Sequence, residues 1–406
     1  MKNKAELIFL FSIVLYFFSC NTPGKKQIKT AGSAVKIQTD AGNDTILNPA
    51  FREAENLIQT SIADSAFPGA VLLVWKDGQI IFENAFGHLI YDDSSSRVKT
   101  NTIYDLASLT KVIAATTAAM ICVDRGLFRI NDNAARYISQ FGKSGKENIT
   151  IKNLLLHNSG LPAYKKFYAL YDSPDKVLND IYSTPLLYPT GTKTVYSDLG
   201  MIVLGKIIEK VTGRTLDKFC NAEIFKPLGM NDTYYNPPEA LKFRIAPTEF
   251  DKYWRNRLLI GEVHDETASL LNGVSGHAGL FSTAGDISKL LRMLLQKGVF
   301  EGKRIIDSSI VKLFTSKQSN QRGLGWDIKS AAGSSAGSLF SNRSYGHTGF
   351  TGTSVWTDPE RNLFVVFLTN RVYPTRNNNK LIKIRPELHN LIIKAVDRHE
   401  EKSAQK

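Results

Sequence analysis

The sequence predicts a mixed α/β (α+β) fold: one antiparallel sheet built from both ends of the chain, helices on its faces, and a mostly helical segment inserted between. Three observations carry this. Two β-rich runs, 70–75 and 79–83, flank the turn Lys76-Asp77-Gly78, which is a hairpin signal. A matching pair, 352–357 and 363–369, flanks Asp358-Pro359-Glu360-Arg361-Asn362 near the other end. Between them the sequence reads as helices and turns, so the two hairpins share a sheet while about residues 112–270 form the insertion.

Taken in order, the chain opens with Lys2 and Lys4 ahead of an apolar run, 7–18, too short to anchor in a bilayer. Residues 1–20 therefore read as a secretory signal peptide. The run ends in Phe17-Phe18-Ser19-Cys20, which resembles the lipobox of bacterial lipoproteins, with Cys20 as the acylated residue and Phe17 where leucine is usual. Residues 21–50 are polar and without periodicity, and read as a flexible tether. A short amphipathic helix follows over 51–63, then the first hairpin. A final amphipathic helix is expected over 381–396, and a tail over 397–406. The Gly/Ser-rich stretch 330–338 reads as an exposed loop. Cys122 and Cys220 lie in apolar helical contexts, compatible with two buried thiols or with one bridge.

The formal charge is +13, and it stays at +12 without the first nineteen residues. Such a balance suits nucleic acid, anionic lipid or anionic wall polymers. Lys and Arg are scattered and no nucleic-acid motif stands in its required context, so nucleic acid is excluded as a partner. With the N-terminal signal, the charge points to the bacterial cell envelope: an exported protein held at a membrane by its lipid anchor.

Chemistry is concentrated at Ser108-x-x-Lys111, at the opening of an apolar, Ala-rich helix over 112–120. Side chains three apart share a helix face. A serine hydroxyl needs a neighbour to take its proton, and a lysine desolvated among apolar residues loses some preference for its charge and can serve. The helix N-terminus favours a developing oxyanion. Alone, this spacing is common by chance, so its companions decide. The run 149–157 starts at a capping Thr150 and stops at Asn158-Ser159-Gly160-Leu161-Pro162, with His157 read as a capping or packing residue. Tyr188-Pro189-Thr190-Gly191 makes a turn, and Tyr196-Ser197-Asp198 enters a helix over 201–211. Tyr196 in isolation reads as packing; beside a lysine it can act as a base. Gly346-His347-Thr348-Gly349 and the small residues after it read as an edge strand along which a substrate backbone can pair.

Together, Ser108-x-x-Lys111, Tyr196-Ser197-Asp198 and His347-Thr348-Gly349 resemble, in order and spacing, the serine β-lactamase and penicillin-binding protein superfamily. The likeness is to its class C β-lactamase-like branch of D,D-peptidases, esterases and muropeptide amidases, and covers residues 51–396. The resemblance implies a β-lactamase-like fold with no cofactor or metal. It implies that Ser108 is acylated, that Lys111 holds and accepts protons, and that Tyr196 passes a proton to the leaving group. Backbone N–H groups of Ser108 and Phe350 would form the oxyanion hole, and His347, Thr348 and Gly349 would line the substrate strand. Two departures stand out. His347 replaces the family's lysine, weakening recognition of a substrate carboxylate. Asp198 replaces the commoner asparagine, so an amide-binding contact is lost or inverted. Both speak against an efficient antibiotic-degrading β-lactamase.

The stretch 262–283 holds His264, Asp265, Glu266 and His277. Neighbouring loop residues rarely converge on one ion, so a metal site is not favoured. The stretch resembles the corresponding loop of relatives acting on wall fragments, which gives His264, Asp265 and His277 a part in shaping the substrate pocket. The expected function is an exported serine hydrolase cutting amide bonds of peptidoglycan-derived peptides, as a muropeptide amidase or D,D-carboxypeptidase. The alternatives are an esterase, transesterase or weak β-lactamase on small acyl substrates, and a non-catalytic binder of wall fragments, against which Ser108, Lys111 and Tyr196 argue.

Overall fold

The computed structural model describes residues 35–38, 44–319 and 321–404. Cys20 and the signal segment lie outside the described residues. Eight antiparallel strands form one sheet. Its order is Val35–Gln38, Asp44–Leu47, Gln79–Gly87, Gly69–Lys76, Leu363–Thr369, Ser354–Asp358, Tyr345–Thr348 and Asp327–Ile328. The two hairpins meet at its centre, with Val74 opposite Val365 and Leu72 opposite Phe367.

An antiparallel sheet with one wet face alternates apolar and polar residues, but these central strands are apolar throughout because both faces are covered. Val71, Leu73, Phe364 and Val366 enter the large core shared with the helical segment. Leu72, Val74, Val365 and Phe367 turn the other way, against Phe51 at the N-cap of the first helix, Arg52–Ala63, Ile58 within it, and Leu388 and Ile392 of the last, Leu381–Ala404.

The sheet corrects the tether reading of 21–50 in part. Val35–Gln38 and Asp44–Leu47 form a hairpin on its edge, with Ile46 opposite Glu83. β-Branched Val35, Ile37, Thr45 and Ile46 suit extended backbone, and the open edge of Gln79–Gly87 offers unpaired groups to meet it. The loop 330–338 is exposed at 331–333 but turns inward at Ala336, and Trp356 Nε1 donates to Ser335 Oγ.

In the middle, Lys111–Thr116 is a buried π-helical turn that continues as the α-helix Thr117–Asp124. Thr150 and Asn153 form a reciprocal cap on Ile151–Leu155. Ser197 caps Asp198–Thr212, and Gly213 closes it at φ +66°. Cys122 and Cys220 are both buried free thiols. Among the described residues no helix is long and apolar enough to cross a membrane.

Candidate functional site

Ser108 sits at the end of a strained turn. Tyr104–Asp105 pairs with Leu280–Ser282, and the chain then bends at Ala107 with φ +46°. A non-glycine residue holds that conformation only where its surroundings enforce it. Here Asp105 accepts from the Ala107 N–H at 2.8 Å and the His264 N–H at 2.7 Å. Thr351 Oγ1 donates to the Asp105 carbonyl at 2.7 Å, and Thr353 Oγ1 to the Leu106 carbonyl at 3.0 Å. Gly349 is what allows that approach: a Cβ there would stand 2.1 Å from Thr353 Oγ1 and 2.4 Å from the Leu106 oxygen. Among the described residues, neither the Ser108 nor the Phe350 backbone N–H has a protein acceptor. Phe350 itself is 48% exposed.

Behind Ser108 lies Lys111, fully buried. Its Nζ donates to Ser108 Oγ at 2.8 Å and to the His277 carbonyl at 2.9 Å. Asp198 Oδ1 lies 2.7 Å from Nζ, an ion pair set off the hydrogen-bond axis. The Tyr196 hydroxyl bonds to both Lys111 and Ser108, and its ring centroid is 4.8 Å from Nζ. These contacts correct the expectation of a lysine eased toward neutrality. Burial does pull Lys111 down, but Asp198 and Tyr196 outweigh it and hold the ammonium above its ordinary pKa. Burial raises the Tyr196 phenol, which Lys111 offsets only in part, so the phenol keeps its proton at neutral pH. Asp198 is therefore the counterion of Lys111 and not simply a substrate-facing group that lost an amide.

His157 packs, as its position suggested. Its Nδ1 accepts from the Ser197 N–H at 3.1 Å, and its ring lies 4.7 Å from that of Tyr196, fixing the loop that carries both.

Tyr345–Thr348 departs from the edge strand expected. Asp327–Ile328 pairs with Gly346 and Tyr345, so only the half bearing His347 and Thr348 runs free on that side. His347 is buried, with Nδ1 against the Thr348 carbonyl at 2.9 Å and Nε2 unpartnered. Burial, with Lys111 and Arg322 adding, lowers its pKa to about 4, so the ring is neutral at physiological pH.

A cleft of about 380 Å³ gathers Ser108, Tyr196, His347, Thr348, Gly349 and Phe350 with Asp327, Arg371, Leu381, Ile382 and Arg385. His264, Asp265 and His277 are not in its wall, which corrects their placement as pocket residues. Their side chains are satisfied by protein. His264 Nε2 meets Glu249 at 2.9 Å and the ring stacks on Phe350 at 5.6 Å. His277 is bonded by Asp265 at 2.9 Å and Ser275 at 2.8 Å, while Asp265 also caps Glu266–Leu270. They support the catalytic turn from behind. Among the described residues no group of three or more His, Cys, Asp or Glu converges as a metal site. Sequence reasoning missed Arg371 and Arg385, single arginines in unremarkable surroundings with no motif to mark them.

Residues 54–387 match the Beta-lactamase protein-family model. The chain is 35% identical to an N-acetylmuramyl-L-alanine amidase of Bacillus subtilis, with 91% of each protein aligned. It is 36% identical to a putative D-alanyl-D-alanine carboxypeptidase of Escherichia coli O157:H7, over 78% of this chain and 82% of that one. In fold it resembles a penicillin-binding protein homologue from Caulobacter crescentus, with a TM-score of 0.69 at 18% identity, covering 86% of this chain and 98% of that one. With Ser108, Lys111 and Tyr196 in mutual contact at the foot of the cleft, the chain belongs to the β-lactamase family and is a serine hydrolase.

Proposed function

We propose that this hydrolase is an exported, lipid-anchored amidase that frees the peptide from muramyl fragments of peptidoglycan through an acyl-enzyme on Ser108. The observation that carries the chemistry is the set of contacts around Lys111, which touches Ser108 Oγ, the Tyr196 hydroxyl and the Asp198 carboxylate at once. The substrate class rests on the full-length likeness to a muramyl-alanine amidase. The envelope address rests on Cys20 and the basic charge.

In acylation, Ser108 Oγ bonds the carbonyl carbon and its proton passes into the Lys111–Tyr196–Asp198 group. Lys111 is already an ammonium and Tyr196 a phenol, so Asp198 is the acceptor, reached through Lys111. As the C–N bond breaks, the Tyr196 hydroxyl gives one proton to the departing nitrogen, and the group regains its original proton count. The free N–H groups of Ser108 and Phe350 receive the oxyanion. In deacylation, water gives a proton to the group as its oxygen bonds the acyl carbon, the bond from that carbon to Ser108 Oγ breaks to free the carboxylic acid, and the group returns a proton to the departing Ser108 Oγ.

Mass spectrometry of defined muropeptides incubated with the mature protein tests this reading, with Ser108→Ala as control. Release of the whole peptide is expected from the wild type and none from Ser108→Ala. Loss of only the terminal D-alanine would make the enzyme a carboxypeptidase. Cleavage of nitrophenyl esters with muropeptides untouched would make it an esterase. Cys20→Ala should move the protein from the membrane to the soluble fraction; retention there would overturn the anchor.

A further inference from the structure

Two cations lining the cleft have no ion-pair partner among the described residues; the carboxylate in the same lining, Asp327, is held by Arg322. Arg371 follows the Leu363–Thr369 strand, and Arg385 lies in the first turns of the Leu381–Ala404 helix. Arg385 is 8% exposed. One Nη donates to the Thr353 carbonyl over a long 3.3 Å, and the buried Nε has no partner. Arg371 donates only to backbone carbonyls, those of Phe350 at 2.9 Å, Arg376 at 3.1 Å and Asn378 at 2.6 Å. Among the described residues neither guanidinium is in an ion pair. The one carboxylate that bears on Arg371, Glu249, is already held by His264 and Arg376.

A buried guanidinium without a counterion is costly, and its planar fork of donors matches a carboxylate. The cleft has no cation at the third motif to do that work, since His347 is neutral there. We propose that Arg385, with Arg371 beside it, forms a subsite that grips a free carboxylate on the substrate's peptide; the identity of that peptide rests on the muropeptide reading above. Burial and the neighbouring Arg371 press Arg385 down to about 10, still charged at neutral pH and more favourably so once an anion arrives. Ile382, 64% exposed at the rim of the same cleft, marks where such a chain would enter.

The test is calorimetric titration of the mature full-length protein with an alanyl-glutamate dipeptide and with its diamide, which needs no turnover. The dipeptide is expected to bind the wild type about tenfold or more tighter than the diamide, the scale of a charge-assisted pair. That ratio should collapse to near one in Arg385→Gln and recover part-way in Arg385→Lys. Ile382→Glu, at an exposed position that will fold, places an internal carboxylate at the rim and should weaken dipeptide binding alone. A wild-type ratio near one, or a ratio unmoved in both Arg385→Gln and Ile382→Glu, overturns the subsite. Should the ratios behave as expected while muropeptides go uncleaved, the subsite stands and the substrate reading falls.

Discussion

Both ends of the cleft bury a cation, and they differ in what neutralises it. At the nucleophile end, Lys111 faces a carboxylate at 2.7 Å, a hydroxyl and a carbonyl. At the helix end, Arg385 has one long bond to a carbonyl and an orphaned Nε. A paired charge is internal machinery, able to pass protons without changing the net charge of the site. An unpaired one is a demand that only an incoming group meets. The scaffold behind Phe350 follows the first pattern: Arg376 donates to Glu249 at 2.7 Å and Glu266 at 2.8 Å, and Glu249 meets His264.

The comparison is broken most directly at Asp198. Asp198→Asn removes the counterion and the proton acceptor together, and kcat should fall about a hundredfold or more. Lys111 then loses the partner that holds it up, so the residual activity should titrate at lower pH than in the wild type. A pH–rate profile on any cleaved substrate checks both, and an unchanged profile would reduce Asp198 to packing.

How much of this was legible follows from distance along the chain. Ser108 and Lys111 were readable because helical spacing alone brings them together. Tyr196 was readable only in company, since nothing local separates a packing tyrosine from a reacting one. The Lys111–Asp198 pair was not legible: it needs the start of the Asp198–Thr212 helix docked against the Lys111–Thr116 turn, which no local pattern encodes. Gly349 stood out as small, but its reason, a backbone approach that a Cβ would block at 2.1 Å, exists only in three dimensions. Arg385 is a plain residue in an amphipathic helix until its missing partner is seen. The edge pairing of Val35–Gln38 with Asp44–Leu47 was hidden by the polar composition around it, because an edge strand needs little apolar surface.

The cleft's neutral histidine gives a sharper view of why no third cation sits there. His347 and His389 are both buried and both lowered to about 4 from the ordinary 6.5. The unfolded chain takes up their protons first, so their contribution is complete above about pH 6.5 and is lost as pH falls toward 4. Each should cost roughly 2–3 kcal/mol over that window. Burial lowers His157 as well, so urea unfolding at pH 7 and pH 4.5 measures the sum of the three, and His347→Gln should flatten about a third of it. In the paired scaffold, Glu249→Gln leaves Arg376 with Glu266 alone and His264 against a neutral amide, and should cost about 3 kcal/mol at pH 7. It should also loosen Phe350 through the stacked His264, raising KM more than it lowers kcat.

Arg385→Met is the smallest effect and the most discriminating. If Arg385 were structural, its loss would cost as much as breaking the scaffold. If Arg385 instead serves a ligand, Met keeps an apolar stem of similar length on the buried side of the helix and removes a charge that the fold leaves unneutralised. Replacing a buried ion by an apolar residue of similar length is often neutral or stabilising. Urea unfolding should therefore show a change within about 1 kcal/mol of zero, or a gain, while dipeptide binding weakens. A loss matching that of Glu249→Gln would mean that the two ends of the cleft are built alike, and that Arg385 serves the fold through the Thr353 carbonyl and not a ligand.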